Sequence, residues 1–194
     1  MYVHAASPGT VRPWFFRFYA TVIAVQGVHV IEHVIQLIQV YVFGVPDDDA
    51  LGLLGYVLAI HDTEEWLHLA FNTAYLASLY VLLVPLHRLT KQGVVPAMWF
   101  TLFAFGVLLE SWHLVEHIVI IRNAISNGGG CPCPGIGDRA LNVTDTQLHF
   151  VYNVAAYAAT LAAFPSVRRA YRGDPSTRVG SSVRRPAAMP GGRP

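Results

Sequence analysis

The sequence predicts an all-α integral membrane protein in which four transmembrane helices form an up-down bundle of two tandem helical-hairpin repeats. Of its 194 residues, 54% are apolar and only 13% are charged, roughly half the charged share of an average soluble domain. The apolar residues form long runs that can each cross a bilayer as a helix. Polar motifs of the first two runs recur in the last two, which indicates an internal duplication.

Aromatic residues and prolines mark where the four helices begin and end. The first run opens at Trp14, and aromatic residues are typical of a membrane interface. Because proline disfavours a helix interior, we expect the second helix to end before Pro85 and the fourth before Pro165. The expected helices cover about 14–43, 51–83, 96–121 and 145–164. The chain then divides into a cytoplasmic arm (1–13), a first hairpin repeat (14–85), a cytoplasmic loop (86–95), a second hairpin repeat (96–165) and a basic, disordered cytoplasmic tail (166–194).

The positive charges are segregated along the chain, and this orients the helices. Lysine and arginine concentrate on the cytoplasmic side of multi-pass proteins. The sequence therefore predicts a multi-pass protein of the cell membrane with both termini in the cytoplasm and the lipid bilayer as a partner. No nucleic-acid partner is expected at a net charge of +1. The cytoplasmic basic residues are Arg12, Arg17, Arg88, Lys91 and the arginines from Arg168 onward, whereas Arg122 and Arg139 lie on the outer side.

A five-residue box, His-x-x-Glu-His, occurs in the first and the third apolar run. Positions i, i+3 and i+4 share one face of a helix, so each box directs two imidazoles and a carboxylate the same way. Polar groups placed inside a bilayer are costly unless they bind something. The boxes therefore predict a ligand site in the bundle. They comprise His29, Glu32 and His33 in the first run, and His113, Glu116 and His117 in the third.

A second motif, acid-x-x-x-His-x-x-x-Asn, occurs in the second and the fourth run. Its spacing of four lines its members up along one helical face. The two motifs recur in the same order, which is the basis for predicting two repeats related by a pseudo-twofold axis along the membrane normal. Gln26 and Glu110 also correspond, one turn before the boxes. The second motif comprises Glu64, His68 and Asn72, and then Asp145, His149 and Asn153.

Histidine and carboxylate side chains in this number exceed the needs of one ion, since zinc takes four ligands and a facial triad three. We therefore predict two divalent metal ions, iron or manganese with copper or zinc as further options, in a four-helix bundle of the kind that holds paired metals. The candidate catalytic residues are Glu32 and Glu116. The candidate metal ligands are His29, Glu32, His33, Glu64, His68, His113, Glu116, His117, Asp145 and His149.

The box resembles the zinc motif of the inverzincin metalloproteases, His-x-x-Glu-His, in which two histidines bind zinc and the glutamate is the base. That resemblance implies the same roles for His29, Glu32 and His33 and for their copies. The histidine-rich bundle is also similar to the integral-membrane di-iron desaturases and hydroxylases. Their boxes read HxxxH and HxxHH near the cytoplasmic face, whereas the boxes here carry glutamate and lie toward the outer face.

Several functions are consistent with this pattern. The leading hypothesis is a dinuclear oxidoreductase that acts on a lipid or a small apolar substrate. A zinc-dependent membrane hydrolase, and a haem-b or metal-handling accessory subunit of a membrane complex, are the alternatives. The carboxylates and histidines could also form a proton relay without metal, and the asparagines could join helices by hydrogen bonds. Cys131 and Cys133 lie in the outer loop, where they could bind copper.

Overall fold

The computed structural model describes residues 11–57, 64–127 and 135–173, and this part of the chain is helical, without a β-strand. A short 3₁₀ turn at Asp47–Asp49 precedes the second helix. The helices are α1 (Pro13–Tyr41), α2 (Gly52–Val57), α3 (Glu64–Lys91), α4 (Ala97–Ser126), α5 (Ile136–Leu141) and α6 (Asp145–Tyr171).

Four of these helices, α1, α3, α4 and α6, are long and apolar enough to cross a membrane. They pack as a ring in which α4 lies against α3 and α6, and α1 lies against α6 and, less extensively, α3. The predicted all-α fold with four candidate transmembrane helices is therefore confirmed, whereas the division into two tandem repeats stays a prediction. Close approach of α4 to α6 requires glycine at Gly106, where a Cβ would lie 2.7 Å from the Cβ of Ala159.

Both prolines that were expected to end a helix lie inside one. Pro85 is within α3, which continues to Lys91, and Pro165 is within α6, which continues to Tyr171. A proline removes one intrahelical hydrogen bond, but transmembrane helices tolerate it because neighbouring helices and local adjustments satisfy the freed carbonyl. The prediction that these two residues terminate helices was therefore wrong.

The connections on the predicted outer side contain two short helices, of which α2 was predicted as the start of the second long helix and α5 as part of a loop. The predicted helix over 51–83 corresponds to α2 and α3, and residues 58–63 lie outside the described part. The predicted loop after the third helix contains α5, and α4 itself reaches Ser126. Cys131 and Cys133 lie outside the described residues, as do the arm before residue 11 and the tail after residue 173.

The interior of the bundle has two halves of opposite character. Toward one end it is apolar, and fully buried side chains such as Leu79, Leu82, Leu86 and Phe103 interlock there. Toward the other end, where α2 and α5 lie, most of the buried residues are polar. They include Gln26, His29, Glu32, His33, Gln36, Asn72, Glu110, His113, Glu116, His117, His149 and Asn153.

The outward faces beside this polar interior are apolar. On α1, Val28 and Ile31 are more than half exposed, while the neighbouring His29 and Glu32 are buried. A soluble protein has the reverse arrangement, and large exposed apolar faces indicate a partner or a membrane. The helices therefore present apolar side chains to a bilayer and enclose the polar ones.

Candidate metal centre

Each His-x-x-Glu-His box holds its two imidazoles side by side on the inner face of its helix. In α1, Nε2 of His29 lies 3.2 Å from Nε2 of His33. In α4, Nε2 of His113 lies 3.2 Å from Nε2 of His117. The i, i+4 spacing produces this proximity, because one helical turn separates the two residues. The two nitrogens of a pair must therefore share a proton or a ligand.

A third histidine from the next long helix completes each group. His68 of α3 joins the α1 pair, and His149 of α6 joins the α4 pair. Within each group, one ring nitrogen per residue lies within 4.8 Å of the others. We call His29, His33 and His68 the first triad, and His113, His117 and His149 the second triad.

The two triads adjoin each other at the centre of the bundle. The ring centroids of His68 and His117 are 5.8 Å apart, and those of His33 and His149 are 6.3 Å apart. Spacings within the second triad are comparable, at 4.4 Å between His117 and His149. Six imidazoles therefore form one continuous cluster that is contributed by all four long helices.

The geometry of the triads suits metal coordination. Ligands at 2.0–2.1 Å from a tetrahedral ion lie about 3.3 Å from one another, close to the 3.2 Å that separates Nε2 in each pair. Three protein ligands leave a fourth position open, as in catalytic zinc sites. Each triad could thus hold one ion that still accepts water or a substrate atom.

The box glutamates contact the two short helices and belong to neither triad. Oε1 of Glu32 accepts the backbone N–H of Leu54 in α2 at 2.6 Å. Oε1 of Glu116 accepts the N–H of Gly137 in α5, also at 2.6 Å. Charged hydrogen bonds of this kind are among the stronger ones in proteins. Each glutamate therefore anchors a short helix over the cluster, and its predicted role as ligand or base stays a prediction.

Two glycines make these anchors possible. A Cβ at Gly52 would collide with the carboxylate of Glu32, and a Cβ at Gly135 would collide with that of Glu116. Gly52 also has a φ of +68°, which glycine adopts without steric cost. The same close approach of glycine to the box glutamate thus occurs on both sides of the bundle.

Of the two acidic residues of the second motif, the structure describes the side chain of Asp145. Asp145 is beside His149, whose Nδ1 lies 2.9 Å from the backbone oxygen and 3.0 Å from Oδ1 of Asp145. Asp145 therefore contacts the outer nitrogen of an imidazole and is not part of a triad. The side chain of Glu64 lies outside the described residues.

One acidic residue next to the cluster lies outside the membrane-spanning helices. Asp138 of α5 is buried and accepts the N–H of Gly135 at 2.9 Å through Oδ2. Burial raises the pKa of Asp138 above its ordinary value because it penalises the charged carboxylate. This carboxylate stabilises the first turn of α5, beside the glycine that Glu116 contacts.

Several residues around the cluster were not predicted as ligands but contact the imidazoles. Oε2 of Glu110 lies 3.3 Å from Nδ1 of His113, and both side chains are fully buried. The ring of Phe71 stacks on His29 with centroids 4.0 Å apart, and Tyr152 lies 5.0 Å from His113. The match between Glu110 and Gln26 was visible in the sequence, and Phe71 and Tyr152 also occupy matching positions there, directly before Asn72 and Asn153.

A small cavity adjoins the cluster, and an apolar groove lies between α3 and α4. A cavity of about 70 Å³ is lined by His29, Glu32, Leu51, Leu54, Gly55, Leu67, His68 and Phe71. A more open apolar groove of about 350 Å³ runs along α3 and α4, and is lined by Trp66, Leu69, Ile118, Ile121, Arg122, Ile125 and Ser126. The cavity could admit a small molecule to the first triad, and the groove could accept an apolar chain from the bilayer.

Comparisons with protein families, with curated proteins and with solved structures find no significant match for this chain.

Proposed function

We propose that this protein is a membrane-embedded oxidoreductase whose dinuclear metal centre is held by the two histidine triads. The observation that carries the proposal is the pair of triads itself, in which matched Nε2 atoms of adjacent histidines lie 3.2 Å apart on both α1 and α4. Six imidazoles clustered in one place, five of them buried, are costly without a ligand, and two ions would offset that cost.

The donor set favours copper, zinc or iron over manganese. Each triad offers three imidazoles and no carboxylate among the described residues. Imidazole suits zinc, copper and iron, whereas carboxylate and water suit manganese. Three ligands per ion also leave an open position, which is typical of catalytic rather than structural sites.

Metal identity separates the two enzymatic functions. Copper or iron can change oxidation state and would supply redox chemistry. Zinc cannot, and a three-histidine zinc site would instead activate water for hydrolysis. A haem-b function is less favoured, since the 70 Å³ cavity beside His29 and His68 is far too small for a porphyrin.

A lipid or small apolar molecule remains the proposed substrate. The groove between α3 and α4 is apolar apart from Arg122 and Ser126, and its lining residues Leu69 and Ile118 directly follow His68 and His117 in the chain. An acyl chain could lie in the groove while a negative headgroup pairs with Arg122. This orientation would bring the chain near the cluster from the bilayer.

The box glutamates support the site by positioning α2 and α5. As a general base, each glutamate would use its second oxygen, Oε2, while Oε1 keeps the backbone N–H that it accepts at 2.6 Å. The same contact on the two sides, a box glutamate with the backbone N–H of a short helix, also supports the proposed duplication.

The test is elemental analysis of the full-length protein purified in detergent, combined with its optical and paramagnetic resonance spectra. We expect about two ions of copper or iron per chain, one for each open three-histidine site. Zinc alone would contradict the redox function and favour hydrolysis. Absence of bound metal after purification from metal-supplemented cells, and after reconstitution with copper, iron and zinc, would contradict the whole proposal.

The ligands are tested with His33→Ala and His117→Ala, one from each triad. Each variant should lose about one ion per chain. His87→Ala is the matched control, because His87 also lies in a transmembrane helix but contacts Phe100 rather than the cluster. Unchanged metal in both triad variants would show that the histidines are not ligands.

A further inference from the structure

The two triads differ in the group that stands one helical turn before each box. At the second triad this group is Glu110, whose Oε2 lies 3.3 Å from Nδ1 of His113. A carboxylate on the outer nitrogen of a metal-binding imidazole fixes the ring and strengthens the inner nitrogen as a donor. Glu110 and His113 are both fully buried, so solvent does not weaken this contact.

The corresponding residue of the first triad, Gln26, acts in a different way. Its side-chain nitrogen donates to Oδ1 of Asn153 at 2.9 Å. Nδ2 of Asn153 in turn lies 3.0 Å from Nε2 of His33, the nitrogen that faces His29. A neutral amide chain therefore competes with an ion for one of the three ligands, and metal binding must displace it.

The first triad is also the one that adjoins the small cavity. His29 and His68 line that space of about 70 Å³ together with Leu54 and Phe71. A cavity of about 150 Å³ accommodates benzene, which has six heavy atoms, so this smaller cavity suits a ligand of two or three heavy atoms. His68 is half-buried, whereas His113, His117 and His149 of the second triad are buried.

We infer that the two metal sites have different roles: the second triad retains its ion tightly, and the first triad exchanges its ion and binds a small external ligand of two or three heavy atoms. Glu110 and Gln26 are positioning residues that set this difference, because they act through His113 and through Asn153. The inference rests on the proposed dinuclear centre and assigns the reactive position within it.

The first experiment follows metal release. The full-length protein in detergent is loaded with cobalt(II), whose visible spectrum reports its ligands, and is then mixed with excess EDTA. We expect two phases, with the first triad losing cobalt faster. Glu110→Gln should accelerate the slow phase about tenfold or more, the usual cost of losing such a carboxylate partner. Gln26→Glu should slow the fast phase, since a carboxylate there would draw Nδ2 of Asn153 away from His33.

The outcomes separate the inference from the proposed function. A wild-type protein that binds no cobalt would defeat the proposed centre. Two bound ions that leave in a single phase would overturn the division of roles but not the proposed centre. The same holds for a Glu110→Gln variant that changes both phases equally. Should Glu110→Gln fail to fold, Gln26→Glu decides by itself, because an unchanged fast phase in that variant contradicts the inference.

The second experiment probes the cavity with sodium azide, a linear anion of three atoms. Azide should shift the cobalt spectrum of the wild type. Leu54→Trp fills the cavity and should weaken azide binding about tenfold, with the cobalt content unchanged. Leu141→Trp is the matched control, because Leu141 lies in the other short helix and is 63% exposed. Equal azide binding by the two variants would overturn the assignment of the external ligand to the first triad.

Discussion

The two halves of the bundle interior divide stability and function between them. In the apolar half, fully buried leucines of α3 interlock with aromatic residues of α1 and α4. In the polar half, the same helices enclose six histidines and their polar partners. In a bilayer, helices associate through close van der Waals packing, whereas a buried polar group contributes only when it is satisfied. Burial of the polar half therefore costs free energy, which the packing of the apolar half offsets. We expect the polar half to carry the chemistry.

The variant that distinguishes the two halves most clearly lacks the third histidine of each triad. The double variant of His68→Ala and His149→Ala should lose both ions, since each ligand contributes about 3 kcal/mol of binding, roughly a hundredfold or more in affinity. Metal analysis measures this loss. Circular dichroism should still show a fully helical protein, because the apolar half is intact. Unfolding of the variant would contradict the division between the halves.

A substitution that creates a cavity in the apolar half should have the opposite effect, lowering stability while metal binding is kept. Leu82 is fully buried, and Leu82→Ala should lower the free energy of unfolding by about 3 kcal/mol through lost packing. Thermal or SDS unfolding monitored by circular dichroism measures this. The folded fraction should keep its full metal content. Val84→Ala is the control, since Val84 is 55% exposed toward the bilayer, and an equal loss in both variants would argue against a core at this end.

Substitution of an anchoring glutamate should have an intermediate effect on stability, confined to the short helix that it contacts. Glu116→Gln weakens the hydrogen bond to the N–H of Gly137, and a charged bond of this kind is worth about 2 kcal/mol. Hydrogen exchange should become faster in α5 and stay unchanged in α3. Metal content should be retained, and its loss would instead indicate that Glu116 is a ligand, as the sequence predicted. Glu32→Gln should act in the same way on α2.

Substitution in the layer between the two halves, where Tyr75 contacts Thr160, should have the smallest effect. The hydroxyl of Tyr75 lies 2.7 Å from Oγ1 of Thr160, which also donates to the backbone oxygen of Ala156. Because Thr160 keeps that second partner, Tyr75→Phe should cost only about 1 kcal/mol in unfolding free energy. Metal content should be unchanged. A loss of metal in Tyr75→Phe would extend the functional half into this layer.

Local spacing was sufficient to predict which histidines share a face. The i, i+4 pairs His29–His33 and His113–His117 follow from helical periodicity alone. Their meeting with His68 and His149 follows from the predicted hairpin topology, in which the second long helix of each hairpin returns beside the first. These residues do form the two groups in the structure.

The direction of the glutamates could not be read from the same spacing. Position i+3 lies on the box face but toward one edge of it, so a small rotation decides whether a carboxylate meets an ion or a neighbouring backbone. The partners of Glu32 and Glu116 belong to α2 and α5, which are short and were not predicted. Gly52, with its positive φ, is the local signal that such a turn was present.

The helix ends show a second limit of sequence patterns. Pro85 and Pro165 were read with the rule for soluble helices, in which water takes over a freed carbonyl and the helix stops. In a membrane no water is available, so a helix that continues past a proline costs less than one that exposes its end. The differences at Lys91 and Tyr171 follow from this.

The measurement that tests the central claim most directly is X-ray absorption at the edge of the bound metal in the purified wild-type protein. Our account predicts about three imidazole nitrogens per ion at about 2.0–2.1 Å, with the multiple scattering that identifies histidine. A ligand shell dominated by carboxylate oxygen or by sulfur, or a protein that binds no metal, would contradict it.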